Sequence, residues 1–282
     1  MLQRIFHHIL TALFFLLTIN VNLAFAQKKI VKETIVDSLT FLQNRKIVNS
    51  LNSKVWLKRD FILDSIQIPY RLLLPKAPKP GKKSYPLVIT FHNSTRIGND
   101  NEQQLEPLAK IWLRPEIYHD YPCYVVAPQF NRRSSNYAKD EAGTLIAKPS
   151  ADVSALLKLI DQLADEYPDI DRNRIYVIGY SMGASTAQNL LNLAPDKFAA
   201  TVSIAAVSDF SNLQKISQKN IWLIHGEKDD ENPYQSSLAL FNRLVSNKNL
   251  VFTTFTNLNH NNIVIPFLLT EEIPKWLFSK RK

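Results

Sequence analysis

Cysteine is almost absent: Cys123 is the one such residue in 282. A lone cysteine excludes an intrachain disulfide, so the core must hold by burial alone. Its position just before Tyr124-Val125-Val126 reads as a buried, inert thiol. Glycine is also scarce, with only Gly81, Gly98, Gly143, Gly179, Gly183 and Gly226. There is no internal repeat and no low-complexity tract. Acidic residues are outnumbered by basic ones, 25 against 34, for a net charge of +9. The cations are scattered apart from the closing Lys280-Arg281-Lys282, with no basic helix face and no nucleic-acid motif, which argues against nucleic acid as a partner. Metal-ligand spacing, cofactor fingerprints and phosphate loops are missing as well, so neither a metal nor a cofactor is implied.

The first residues do have a pattern. Arg4 gives a short positive start, an apolar run follows from Ile9 to Leu17, and Ala24-Phe25-Ala26 has the small-x-small form of a signal-peptidase site. A spanning helix wants about 20 apolar residues, and Thr18, Asn20 and Asn22 interrupt this one. Residues 1–26 therefore read as a signal peptide, and the expected location is secreted or periplasmic, with no stable membrane insertion after cleavage. The remaining length suits one sizeable core or two small ones.

Residues 27–55 are polar and ambiguous; Thr34 to Leu51 could form a helix. From residue 56 a single domain is expected. Phe61-Ile62-Leu63 and Ile66 to Leu74 read as two strands around a turn at Asp64-Ser65. Beyond the proline- and lysine-rich loop from Pro75 to Pro86, short apolar runs alternate with helical patterns. Leu87–Phe91, Tyr124–Ala127, Ile175–Ile178, Ala199–Ala206, Ile221–Ile224 and Val251–Phe255 are strand candidates, continuous in apolar and β-branched residues as strands covered on both faces should be. Ala151–Tyr167, Met182–Leu193 and Tyr234–Val245 carry apolar residues at helical spacing. This alternation implies an α/β fold, a doubly wound and mostly parallel sheet flanked by helices. Chemistry in such a sheet belongs beyond the carboxyl ends of the strands.

Two of the glycines bracket a serine in Gly179-Tyr180-Ser181-Met182-Gly183, after the strand Arg174 to Ile178 and before a helix. A strand turning sharply into a helix holds its corner residue in a strained conformation and brings backbone segments close, so side chains at 179 and 183 would collide. The gain is a Ser181 hydroxyl exposed above the sheet, at the start of a helix whose dipole favours negative charge.

Serine needs a base, because its un-ionised hydroxyl is a weak nucleophile. His7 and His8 leave with the leader. His92 and His225 end strands and read as loop supports, and His119 sits in a polar segment with no strand end beneath it. His260, in Asn257-Leu258-Asn259-His260-Asn261-Asn262 after the last strand, is the base candidate. Its place downstream of the acids completes the order Ser, Asp, His. For the acid, Ile224-His225-Gly226-Glu227-Lys228-Asp229-Asp230 ends a strand in a short acidic loop. Asp229 is the first choice, with Asp230, Glu227 and the more distant Asp209 as alternatives. Such an acid would fix the His260 tautomer and stabilise the imidazolium formed in catalysis.

These residues resemble the α/β-hydrolases known as predicted peptidases, close to the carboxylesterase/phospholipase and the secreted feruloyl- or acetyl-esterase families. The resemblance runs from about Phe61 to Phe278. It is carried by Tyr167-Pro168-Asp169 through Gly179-Tyr180-Ser181-Met182-Gly183, by Pro128-Gln129, by Trp222 with His225-Gly226-Glu227-Lys228-Asp229, and by Trp276-Leu277-Phe278. It implies that the acid is the aspartate three places after the His-Gly glycine, Asp229. It also implies an oxyanion hole of backbone N–H groups near Ser94 and at Met182. The pattern departs from the family at two positions: Asn93 stands for the glycine of His-Gly in His92-Asn93-Ser94, and Ala184 for a second glycine after the elbow.

The expected function is a serine hydrolase that cleaves carboxylic esters, carbohydrate-linked ones included, through an acyl-enzyme. The partner is then a small-molecule or carbohydrate ester. A serine peptidase on the same three residues, and a non-catalytic binding protein that keeps the fold, are the alternatives. The segment Pro128–Pro149, with Phe130, Arg132, Arg133 and Tyr137, reads as a long loop able to overhang the site and hold a sugar or an anionic group.

Overall fold

The computed structural model describes residues 27–76 and 84–282; the leader with its Ala24-Phe25-Ala26 site, and Gly81, lie outside the described residues. In chain order the strands are β1 (Lys28–Lys32), β2 (Leu57–Leu63), β3 (Ile66–Leu73), β4 (Tyr85–Phe91), β5 (Tyr124–Pro128), β6 (Ser135–Lys139), β7 (Leu145–Pro149), β8 (Ile170–Tyr180), β9 (Ala200–Ile204), β10 (Asn220–Gly226) and β11 (Leu250–Phe255). The helices of seven residues or more are α1 (Ser38–Asn49), α2 (Ala151–Glu166), α3 (Met182–Leu193), α4 (Tyr234–Arg243) and α5 (Glu272–Phe278).

Nine strands form one sheet in the order β1-β11-β10-β9-β8-β4-β5-β3-β2. Only β3 runs against its neighbours, β2 and β5; every other pairing is parallel. β4, β5 and β9 are buried along their whole length because both faces of the sheet are covered. Side chains alternate between two cores: Leu87, Ile89, Ile175 and Val177 pack with α2, α3 and α4, whereas Val88, Tyr176 and Ile178 pack with Val48 of α1 and Ile273 and Leu277 of α5. Each aliphatic side chain so buried contributes about 1.5–3 kcal/mol. Cys123 lies in the second core as a buried thiol.

Two segments differ from the expectation. Residues 28–32, Lys-Lys-Ile-Val-Lys, form β1, a parallel edge strand on β11. Charged residues suit an edge, since lysine discourages further pairing there. The segment then enters α1, whose first turn is capped by Asp37 accepting from the Thr40 N–H at 2.7 Å. The stretch Pro128–Pro149 is not a plain loop, because β6 and β7 pair as an antiparallel hairpin. Asp140 makes its turn: Oδ1 accepts from the Ala142 and Thr144 N–H groups, and the Gly143 N–H bonds the Asp140 carbonyl with Gly143 at φ +78°.

Candidate active site

β8 ends at Tyr180 and α3 begins at Met182, leaving Ser181 at the corner with φ 59° and ψ −125°. A non-glycine residue at positive φ is strained, of order 1–3 kcal/mol, and persists only where its surroundings force it. Here the glycines supply the space. A Cβ on Gly179 would stand 2.2 Å from the Gly183 carbonyl group, and one on Gly183 would stand 2.3 Å from the Phe91 carbonyl oxygen. The Ser181 N–H is tied to the Ile204 carbonyl on β9 at 2.9 Å.

The structure brings Ser181, Asp229 and His260 together from the ends of three parallel strands, β8, β10 and β11. His260 Nε2 is 2.8 Å from Ser181 Oγ, and His260 Nδ1 is 2.8 and 3.0 Å from the two oxygens of Asp229. An ionised carboxylate accepts only, so Nδ1–H donates to Asp229 and the Nε2 lone pair faces the serine hydroxyl. Asp229 also accepts from the Glu231 and Asn232 N–H groups and lies 3.1 Å from His225 Nε2. Burial alone would raise its carboxyl, but hydrogen bonds from His225 and His260 hold it well below the usual carboxylate range. The alternative acids stand elsewhere: Asp230 is exposed, Glu227 is exposed, and Asp209 is buried against Asn189 Nδ2 at 2.7 Å.

The other histidines are occupied. His92 donates from Nδ1 to the Asn93 carbonyl at 2.7 Å and accepts at Nε2 from the Phe130 N–H at 3.1 Å. Burial pushes it down to about 4, so it stays neutral. His225 bonds Ser237 Oγ at 2.8 Å and the Asn232 carbonyl at 3.1 Å. His119 is exposed beside Asp120.

The two residues expected at the oxyanion hole open helical turns. Met182 is the first residue of α3, and Ser94 the first of the 3-10 turn Ser94–Arg96, so neither N–H has an intrahelical acceptor. Asn93 tolerates the position of the family glycine because its backbone is extended, φ −77° and ψ 175°. Its side chain makes itself useful there: Oδ1 accepts from the Thr95 N–H and Nδ2 donates to Glu106 Oε2 at 2.8 Å, while the Asn93 N–H donates to Glu106 Oε1 at 3.1 Å. Glu106 is buried, and that burial pushes its carboxyl up to about 7.

Ser181 opens on a polar cavity of about 140 Å³ lined by Arg45, Asn93, Ser94, Thr95, Arg96, Tyr180, Glu231, His260 and Asn261. Tyr180 and Arg45 escaped sequence reasoning. The Tyr180 hydroxyl donates to the His260 carbonyl at 2.8 Å with its ring 5.0 Å from the imidazole, and its neighbour position to Ser181 was the available signal. Arg45 comes from α1, and nothing in the local sequence announces it. Phe130, Arg132, Arg133 and Tyr137 do not line this cavity. Phe130 is fully buried, Arg132 is held by Asp152 at 2.6 and 2.8 Å, and Arg133 lies over the Tyr137 ring.

Comparison with known proteins agrees with this fold. The model of the prolyl oligopeptidase family matches residues 146–222, a stretch that includes Ser181 and stops before Asp229 and His260. A thermostable esterase of known structure is 30% identical over 81% of this chain and 64% of its own, with a TM-score of 0.72. Est1E from Butyrivibrio proteoclasticus is 14% identical over 79% of this chain and 98% of its own, TM-score 0.55. The chain has the α/β-hydrolase fold. Acylaminoacyl peptidase from Pyrococcus horikoshii shares it at 16% identity and a TM-score of 0.58, over 81% of this chain and 42% of that one. The chain thus spans less than two thirds of the esterase and of the peptidase. No curated protein matches the sequence.

Proposed function

We propose that this α/β-hydrolase chain is a serine hydrolase that cleaves carboxylic esters. The observation that carries the proposal is the unbroken relay from Ser181 Oγ through His260 to Asp229, at 2.8 Å on each side of the imidazole. Ser181 Oγ attacks the ester carbonyl while Nε2 takes its proton; collapse of the tetrahedral adduct breaks the C–O bond, and that proton leaves with the alcohol. Water, deprotonated by the same nitrogen, then attacks the acyl-enzyme, and the acid departs as Ser181 regains its proton. Asp229 holds the tautomer and steadies the imidazolium. The N–H groups of Ser94 and Met182 receive the developing oxyanion, a donor of this kind supplying about 3–4 kcal/mol.

The thermostable esterase, at 30% identity, favours ester over amide. The prolyl oligopeptidase match favours a peptidase on the same relay, and it is the second reading. A carbohydrate-linked ester remains within the proposal, although the hairpin residues that suggested a sugar do not reach the cavity. The leader ending at Ala26 supports an exported protein, which N-terminal sequencing of the secreted fraction would test. Activity is tested by labelling with a fluorophosphonate, then by paired ester and anilide substrates with matched acyl groups. Labelling that requires Ser181, with the ester turned over and the anilide not, is the expected outcome; labelling that survives Ser181→Ala would overturn it.

A further inference from the structure

The cavity at Ser181 has an electrostatic character that the relay does not use. Two arginines from unrelated segments line it, Arg45 from α1 and Arg96 from the turn that carries Ser94, together with Asn93 and Asn261. Among the described residues neither arginine has a carboxylate at hydrogen-bond distance. Arg96 Nε is 3.9 Å from Glu106 Oε2, and both Glu106 oxygens already accept from Asn93. Arg45 lies over the Phe41 ring, 5.2 Å from its centroid, a contact that leaves its N–H donors free. Burial of Glu106 weakens the compensation further, since it disfavours the ionised carboxyl. The opposing charge on the rim is Glu231, whose Oε1 accepts from Asn261 Nδ2 at 3.4 Å and whose Oε2 lies 3.6 Å from His260 Nε2. The lining thus carries two cations and one anion, with the Asp229 carboxylate bonded to the other nitrogen of His260.

We propose that Arg45 and Arg96 form a subsite for a carboxylate on the substrate, so that the preferred ester carries a negative charge a few bonds from its scissile carbonyl. The subsite rests on the hydrolase reading and narrows its substrate class. Two features fit it. A guanidinium presents paired donors that match a carboxylate's two oxygens, where an ammonium offers only a point charge. The cavity, at about 140 Å³, is well below the roughly 300–1,000 Å³ of pockets that engulf drug-sized ligands. It suits a short charged acyl group better than a long apolar chain. Placing one of the two arginines on α1 also gives the N-terminal segment a role in selecting substrate, beyond closing the edge of the sheet.

The test compares two 4-nitrophenyl esters with the same leaving group, the neutral acetate and the anionic hemisuccinate, and reads the ratio of their kcat/KM values. The wild type is expected to favour the hemisuccinate. Arg45→Gln and Arg96→Gln should each lower the hemisuccinate-to-acetate ratio by about tenfold, as for loss of a hydrogen bond to a charged group. Lys46→Gln removes the same charge from α1 at a residue outside the cavity, and should leave the ratio where it was. Fluorophosphonate labelling of each variant reports whether the fold and Ser181 are intact. A wild type that turns over the acetate but shows no preference for the hemisuccinate overturns the subsite and spares the hydrolase. So does a Lys46→Gln effect as large as that of Arg45→Gln, because the preference would then be long-range attraction. A wild type that is neither labelled nor active on either ester overturns the hydrolase reading, and the subsite with it.

Discussion

His225 Nε2 stands 3.1 Å from Asp229 Oδ2, so two imidazoles share one buried carboxylate. His260 uses it on the side facing Ser181, and His225 steadies it from behind while bonding Ser237 Oγ with its other nitrogen. Removing His225 takes from Asp229 a bond that favours its charged form, and burial then pulls its carboxyl upward. His225→Ala should therefore keep turnover at neutral pH within about tenfold of wild type, while losing less stability than wild type between pH 7 and pH 3. Kinetics at pH 7 and urea melts at the two pH values check this, and a loss equal to that of wild type would show that His225 does not hold the carboxylate.

The acid itself can be separated from its neighbour. Asp229→Asn forces the amide to meet Nδ1, and turnover should fall by about 10³-fold or more. Asp230→Asn should stay within about twofold, since Asp230 is exposed and the carboxylate bonded to His260 is that of Asp229. Stability follows the same logic. The folded Asp229 carboxyl lies below its unfolded value, so its contribution is present above about pH 4 and is lost as acid protonates it. Urea melts at pH 7 and pH 3 should show a smaller difference for Asp229→Asn than for the wild type.

Much of this was legible in the residues, for physical reasons that also explain the misses. The central strands announce themselves because both faces are buried, and Gly179 and Gly183 mark Ser181 because no Cβ fits at either position. His260 follows from strand order. β1 was invisible: at an edge, Lys28 and Lys29 are exposed, and with Lys32 they break the apolar run that marks the inner strands. The β6–β7 hairpin was missed because its sheet is two strands wide and only Ser135 and Ala147 of its strand residues are buried, leaving little alternation to read. Arg45 reaches the cavity only through tertiary packing, and no spacing rule links residue 45 to residue 181.

Gly226 has a steric duty at a distance from the chemistry. A Cβ there would stand 2.1 Å from the Leu258 carbonyl oxygen, on the loop that carries His260. Gly226→Ala must push that loop away, and a misplacement of about 1 Å can cost on the order of 10²-fold in rate. The expected signature is a large fall in kcat with fluorophosphonate labelling slowed in step. Normal kcat in a folded Gly226→Ala protein would show that the loop yields without moving His260.

Glu106 gives the clearest link between pH and the loop that carries Ser94. Its carboxyl, facing Asn93, Arg96 and, through space, Arg45, has an ordinary value of 4.5 and is pushed up to about 7 by burial. Between those values the folded protein holds a proton that the unfolded chain has released. Stability must therefore decline as pH rises through that window, by on the order of 3 kcal/mol if nothing else titrates. Glu106→Gln removes the titration, so its unfolding free energy should change less than that of the wild type between pH 5 and pH 8, measured by urea denaturation at matched ionic strength. The variant keeps an acceptor for one Asn93 donor and leaves the second to find water, so at pH 5 it should be the less stable of the two, with the gap narrowing or reversing by pH 8. Parallel curves for the two proteins across that range would mean that the buried carboxyl does not titrate there, and that Arg96 and the Asn93 donors keep it ionised throughout.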